Sequence, residues 1–177
     1  SYGRDVGRSG LVLVAPERQG RGIGRALMAT LIADSGSRAL MLNATAEGLP
    51  LYEKLGFGAT GLVRQHQGRL AEAPTLPPVP AVVVRRAQPA DHAALSTLDA
   101  AAFGTDRSAL MCRLLADGDA WLVDRAGQPA GFAVLRAFGR GMIIGPIVAP
   151  SEDEAIALAA GAAAKASPAR VLGVGIP

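Results

Sequence analysis

Cysteine occurs once, as Cys112, so no disulfide can form within the chain. The two histidines, His66 and His92, are isolated, and no cluster of His, Cys, Asp or Glu has metal-ligand spacing, so no metal is expected. Aromatic residues make up only 4% of the sequence, which leaves few platforms for stacking bases, and no dense basic run is present. A sequence pI near 9.6 therefore gives little support to a nucleic-acid partner. Apolar runs are broken by Arg, Asp or Gly well before the roughly 20 residues that cross a bilayer, so no membrane span is expected. A basic-then-apolar leader is also missing, and with it any sign of secretion; a reducing cytoplasm is the expected location. Only two lysines, Lys54 and Lys165, stand beside sixteen arginines, a bias that fits a GC-rich bacterial genome.

What is present is a chain of 177 residues, half of them hydrophobic, enough for one large or two small packed domains. Its excess positive charge sits in the first 70 residues, where nine Lys/Arg face five Asp/Glu; residues 71–177 carry nine against ten. A small anionic ligand for the first part suits that distribution. The pattern opens with a strand-like stretch, Leu11 to Val14, with no core elements before it, so an upstream segment is expected. A Gly/Arg loop follows Pro16. Then Ile23, Leu27 and Leu31 recur at spacing four and predict a helix closed by Ser35-Gly36. A second strand is expected over Ala39–Leu42, a short helix over Pro50–Leu55 stopped by Gly56, and a third strand over Phe57–Val63.

Residues 73–81 carry four prolines and read as an extended linker between a first domain, 1–72, and a second, 82–177. Beyond it the pattern predicts a strand over Val82–Arg86 and helices over Pro89–Ala102, with Leu95 and Leu98 inward, and Asp106–Ala116. Strands follow over Ala120–Val123, Ala130–Leu135 and Met142–Val148. An Ala-rich helix over Glu152–Ala166, capped by Ser151, leads to a last strand over Arg170–Val174. Val14-Ala15-Pro16 and Val148-Ala149-Pro150 each close a strand and precede a helix, which suggests two related units. The first is seen from its middle onward, the second from its beginning to past its middle. The expected class is α/β (α+β), a mixed twisted sheet flanked by helices.

The chemistry concentrates in Gln19-Gly20-Arg21-Gly22-Ile23-Gly24. Three glycines in five residues remove Cβ obstruction, so successive backbone N–H groups can converge on an anion at a helix N-terminus. The helix dipole and Arg18, Arg21 and Arg25 add positive charge there. Spacing decides among phosphate loops. The dinucleotide fingerprint fails in both frames, its third position falling on Arg25 or Leu27, and no Gly-Lys occurs for a Walker loop. What remains is Q/R-x-x-G-x-G/A after a strand.

That loop, together with Leu51-Tyr52-Glu53-Lys54-Leu55-Gly56-Phe57, resembles the GNAT superfamily of N-acetyltransferases, whose members carry such a loop and a later Y-x-x-x-G-F segment. The resemblance covers residues 10–63 well, and more weakly the stretch from Val82. It implies transfer of acetyl from acetyl-coenzyme A to a primary amine by direct attack. On that basis the backbone of Leu13 and Val14 would meet the pantetheine amide and the thioester oxygen. Gln19, Gly20, Arg21, Gly22, Ile23, Gly24 and Arg25 would hold the pyrophosphate, and Asn43 would add a polar side chain against the cosubstrate. Tyr52 would give its proton to the departing thiolate, ordinary values of about 10 for Tyr and about 8.5 for a thiol keeping the donor protonated.

No general base is identified, since Glu17, Glu47 and Glu53 have no supporting motif. The second unit has Ser151-Glu152-Asp153-Glu154 where the first has Arg and Gly, so a degenerate acetyltransferase-like domain is expected there. A small-molecule amine and a protein amine both stay open as acceptors. So does a homo-oligomer, in which another subunit completes the first sheet. A non-catalytic coenzyme-A-binding or regulatory protein is the competing function.

Overall fold

The computed structural model describes residues 5–72, 74, 79, 82–166 and 172–176. The chain divides into two compact units between Leu62 and Val63. The prolines on which the sequence reading set its linker, residues 73–81, fall mostly outside the described residues.

The first unit holds two parallel strands, β1 (Val6–Arg8) and β2 (Ala39–Met41), in the register Val6↔Ala39 to Arg8↔Met41. Parallel strands need a long crossover, and helix α1 (Ile23–Ser35) supplies it. The pairing runs one bond further, from the Ser9 amide to the Met41 carbonyl at 2.9 Å, and then stops. The strand expected over Leu11–Val14 is not one: these residues pair with no strand among the described residues. Leu11 takes a φ of 57°, which turns the chain out of extended geometry. A short turn, Pro16–Arg18, comes before α1.

The helix read from Ile23, Leu27 and Leu31 and closed by Ser35-Gly36 is α1, which ends at Ser35 with Gly36 as its C-cap; Met28 is its fully buried residue, while Leu27 is half exposed. Helix α2 (Leu49–Lys54) ends against Gly56, whose φ of 88° suits only glycine. No strand forms over Phe57–Val63, whose alternation of apolar and small residues finds no partner strand.

The second unit is a six-stranded sheet. Its strands are β3 (Arg64–Gly68), β4 (Val83–Arg86), β5 (Asp119–Arg125), β6 (Gln128–Phe138), β7 (Gly141–Val148) and β8 (Leu172–Ile176). The spatial order is β3-β8-β7-β6-β5-β4, antiparallel throughout except for β7 beside β8. Helices α3 (His92–Phe103) and α4 (Ser108–Asp117) precede β5, and α5 (Glu152–Ala163) links the parallel pair. α4 begins at Ser108, two residues later than expected, because the Asp106 carboxylate accepts the Ser108 amide at 2.8 Å. Of the last strand expected, Arg170 and Val171 lie outside the described residues.

Strand β5 shows how the core is divided. Ala120 and Leu122 face Leu95, Met111, Leu115, Phe132 and Val134, while Trp121 and Val123 face Leu135, Ile144, Leu158 and Ala162. A strand apolar on both faces is covered on both, so the sheet is sandwiched between helices. Each unit by itself is of mixed α/β class, a sheet with helices, as the sequence predicts.

An ion-pair network ties the start of this unit to the sheet. The Arg85 guanidinium donates to both Asp91 oxygens, at 2.8 and 3.0 Å, and to Asp124 at 2.9 Å. Arg85, and after it the Gln88 amide, holds the Asp91 carboxyl down to about 2 from an ordinary 3.8. A depressed carboxyl stabilises the fold above its unfolded value, and that stability is lost as pH falls from about 4 toward 2. The full shift corresponds to about 2 kcal/mol, less what water screens at an Arg85 side chain one-third exposed. Asp91→Asn is therefore expected to lower unfolding free energy at pH 7 by about 1–2 kcal/mol. The gap between variant and wild type should close by pH 2; a gap unchanged by pH in urea denaturation would refute the electrostatic account.

Candidate functional site

The loop between β1 and α1 carries the residues that the sequence marks as anion-binding. Gly20 and Gly22 both lie in the left-handed region, with φ of 73° and 76°, and a Cβ built on either would meet nothing within 4 Å. Open space lies in front of both. Alternation of left- and right-handed residues points successive amides the same way, making a concave nest of donors. Gly22 is the N-cap of α1 and offers no side chain, so the first turn of the helix receives no side-chain cap. Among the described residues, the amides of Gly20, Arg21, Gly22, Ile23, Gly24 and Arg25 donate to no protein acceptor, whereas those of Arg18, Gln19 and Ala26 are bonded within the turn or helix. Arg18, Arg21 and Arg25 are exposed around this end and form no ion pair among the described residues.

Gly24 differs from its two neighbours. A Cβ there would stand 3.5 Å from Leu51 Cδ2 and 3.7 Å from Val14 Cγ2, ordinary contact distances. The first turn of α1 thus packs between the residues that follow β1 and helix α2, and brings together Val14, Gly24 and the residue next to Tyr52. Gln19 works the same way: its side-chain amide donates to the Val14 carbonyl at 3.2 Å. That bond takes up the Val14 oxygen and assigns the Gln19 side chain to bracing the loop. Leu13 and Leu11 are 79% and 85% exposed.

Tyr52 is half-buried on α2, with its ring edge-on to Phe57 at 6.0 Å between centroids and 72° between planes. Its hydroxyl bonds to nothing among the described residues. Gly48 lies beneath the ring, where a Cβ would be 3.0 Å from Tyr52 Cε2. Asn43 is exposed, two residues past the end of β2, with no protein partner among the described residues. Of the three carboxylates considered as bases, Glu47 is held below its ordinary value by its own backbone amide and by Thr45, which makes it a weaker base. Gly48 escapes sequence reasoning, where a glycine before a helix gives only a weak signal; Leu51 stands at the head of the second motif, but nothing in the sequence marks its approach to Gly24, 27 positions away. No group of three or more His, Cys, Asp or Glu among the described residues is placed to hold a metal. No described helix is long and apolar enough to cross a membrane.

Two family models, each described as an acetyltransferase (GNAT) domain, match the chain, one over residues 2–71 and the other over residues 95–175. The chain belongs to the GNAT superfamily. Among its GNAT relatives, YitH of Bacillus subtilis strain 168, named an uncharacterized N-acetyltransferase, is 36% identical over 166 residues, covering 92% of this chain and 58% of YitH. The structure of a candidate acetyltransferase from Pyrococcus horikoshii is similar with a TM-score of 0.68 and 27% identity, over 100% of this chain and 57% of that one. A GCN5-related N-acetyltransferase from Kribbella flavida aligns with a TM-score of 0.59 and 25% identity, over 99% of this chain and 47% of its own. The chain thus spans about half to three-fifths of the length of these relatives.

The contrast between the loop glycines predicts opposite effects of one methyl group. Gly22→Ala must adopt a left-handed backbone and is expected to cost about 1–2 kcal/mol of stability. Gly24→Ala meets only ordinary contacts inside a helix and should be neutral or stabilising by up to about 1 kcal/mol. Equal costs for the two in thermal or urea denaturation would contradict the described backbone.

Proposed function

We propose that the chain binds acetyl-coenzyme A through the loop of residues 19–25 and belongs to an N-acetyltransferase that moves the acetyl group to a primary amine. The observation that carries this is the set of six amides, Gly20 to Arg25, that have no acceptor among the described residues, opening at a helix N-terminus beside three arginines with no ion pair among those residues. Membership of the GNAT superfamily, whose members generally use this donor, supports the choice of ligand.

In this reading the amides of the loop and the guanidinium groups of Arg18, Arg21 and Arg25 receive the pyrophosphate, with the dipole of α1 adding to the attraction. Anchoring there fixes the reactive carbon by proximity. The amides past β1, at Leu13 and Val14, are free of the β2 ladder, and they meet the thioester oxygen and pantetheine. The developing oxyanion is stabilised by these donors. Gln19 keeps the strand end and the loop in register through its bond to Val14. The amine attacks the thioester carbon, the carbon–sulfur bond breaks, and Tyr52 donates its proton to the leaving sulfur; the new amide loses its extra proton to water. Asn43 contributes a polar contact to the bound molecule. The acceptor is a small-molecule or protein amine.

Two substitutions test this. Gly22→Asp places a carboxylate in the nest and is expected to abolish the thermal shift produced by coenzyme A, which in the wild type should exceed those of NAD and ATP. Tyr52→Phe should preserve that shift and slow acetyl transfer by about 100-fold or more, the usual worth of a positioned general acid. Normal turnover in Tyr52→Phe would remove it as proton donor. Coenzyme-A binding without thiol release against a panel of amines would favour the non-catalytic reading, that of a coenzyme-A-binding regulatory protein.

A further inference from the structure

Both units contain parallel strands joined by a helix, β1–α1–β2 and β7–α5–β8, but the two helix N-termini are reached differently. Residues 9–22 lie between strand and helix in the first unit, and only residues 149–151 in the second. Three residues span at most about 10 Å, too little to double back around a diphosphate. The first turn of α5 is Glu152-Asp153-Glu154, and the third of these is turned inward.

The Glu154 side chain is fully buried. Its Oε1 accepts from the Arg125 guanidinium at 2.8 and 3.0 Å, and its Oε2 accepts the Ser151 hydroxyl at 2.7 Å. The Ser151 oxygen in turn accepts the Glu154 amide at 3.3 Å. An anion already sits at the positive end of this helix, paired with a guanidinium that reaches it from β5, and it comes from the chain itself. Removing it would leave Arg125 without its carboxylate, and a phosphate drawn close would still face the like charges of Glu152 and Asp153.

We propose that Glu154 is an internal substitute for a ligand phosphate, so that the second unit takes no coenzyme A and each chain carries a single nucleotide site, at residues 20–25. The count of one rests on the assignment made for the first unit. The closure of the second unit does not.

Titration calorimetry of the full chain with coenzyme A should give one molecule per chain, and none for Gly22→Asp. Two per chain, or one retained in Gly22→Asp, would overturn the inference. Amide NMR with inorganic pyrophosphate separates the two units: shifts are expected at residues 20–25 and none at residues 151–155. Shifts at 151–155 would defeat the closure of the second unit. No movement in either segment, with no coenzyme A bound, would sink the first-unit assignment and leave the closure standing. Glu154→Gln, which removes the charge at nearly constant volume, should lower the melting temperature and leave one coenzyme A per chain. Lost coenzyme-A binding in a folded Glu154→Gln chain would put Glu154 in the nucleotide site and overturn its assignment as a plug.

Discussion

Two parallel strands cannot be joined by a tight turn. The crossover must return along the sheet, and when it is a helix, its N-terminus follows the C-terminal end of the first strand. This constraint places one positive helix end after β1 and another after β7. Each end exposes backbone donors that the helix itself cannot satisfy. What the two units do with those donors is the main chemical difference between them.

In the first unit the donors stay open. The backbone leaves the β1–β2 ladder after Ser9, Leu11 turns it further, and the chain reaches α1 through two glycines in left-handed geometry with no side chain near them. A residue with a Cβ at Gly22 would carry strain, and an Asp or Ser as N-cap would fill part of the nest with its own oxygen. The missing cap lowers the stability of the helix end and leaves it free for an external anion. In the second unit Ser151 caps the helix in the ordinary way, and a buried carboxylate paired with Arg125 completes the neutralisation. The same helix end is left uncapped in one unit and neutralised by the protein itself in the other.

The second sheet also shows how far a local pattern can mislead. Arg64–Gly68 is exposed at every position, with no apolar alternation to mark a strand, yet it pairs over five residues with Leu172–Ile176. The segment just before it, Phe57–Val63, has the strand-like residues and no partner strand among the described residues. Pairing in a sheet is decided by which edge is available, and here the available edge lies more than a hundred residues further along the chain.

Much of the candidate site was legible in the sequence, because its chemistry depends on local backbone. The spacing of Gln19, Gly20, Gly22 and Gly24 separates this loop from other phosphate loops, and Tyr52 with Phe57 marks the second motif. The Ser151 cap and the acids after it could likewise be read directly, since capping acts over three residues. Tertiary structure alone decided which glycine is open and which is packed, for a Cβ at Gly24 would meet Leu51 and Val14 while one at Gly20 or Gly22 would meet nothing within 4 Å. It also decided that Gln19 braces Val14, that Leu11–Val14 pairs with no strand among the described residues, and that of three adjacent acids Glu154 is the one buried against Arg125. A sequence fixes which conformations each short segment can adopt; contacts between residues far apart along the chain exist only once the strands have chosen their neighbours.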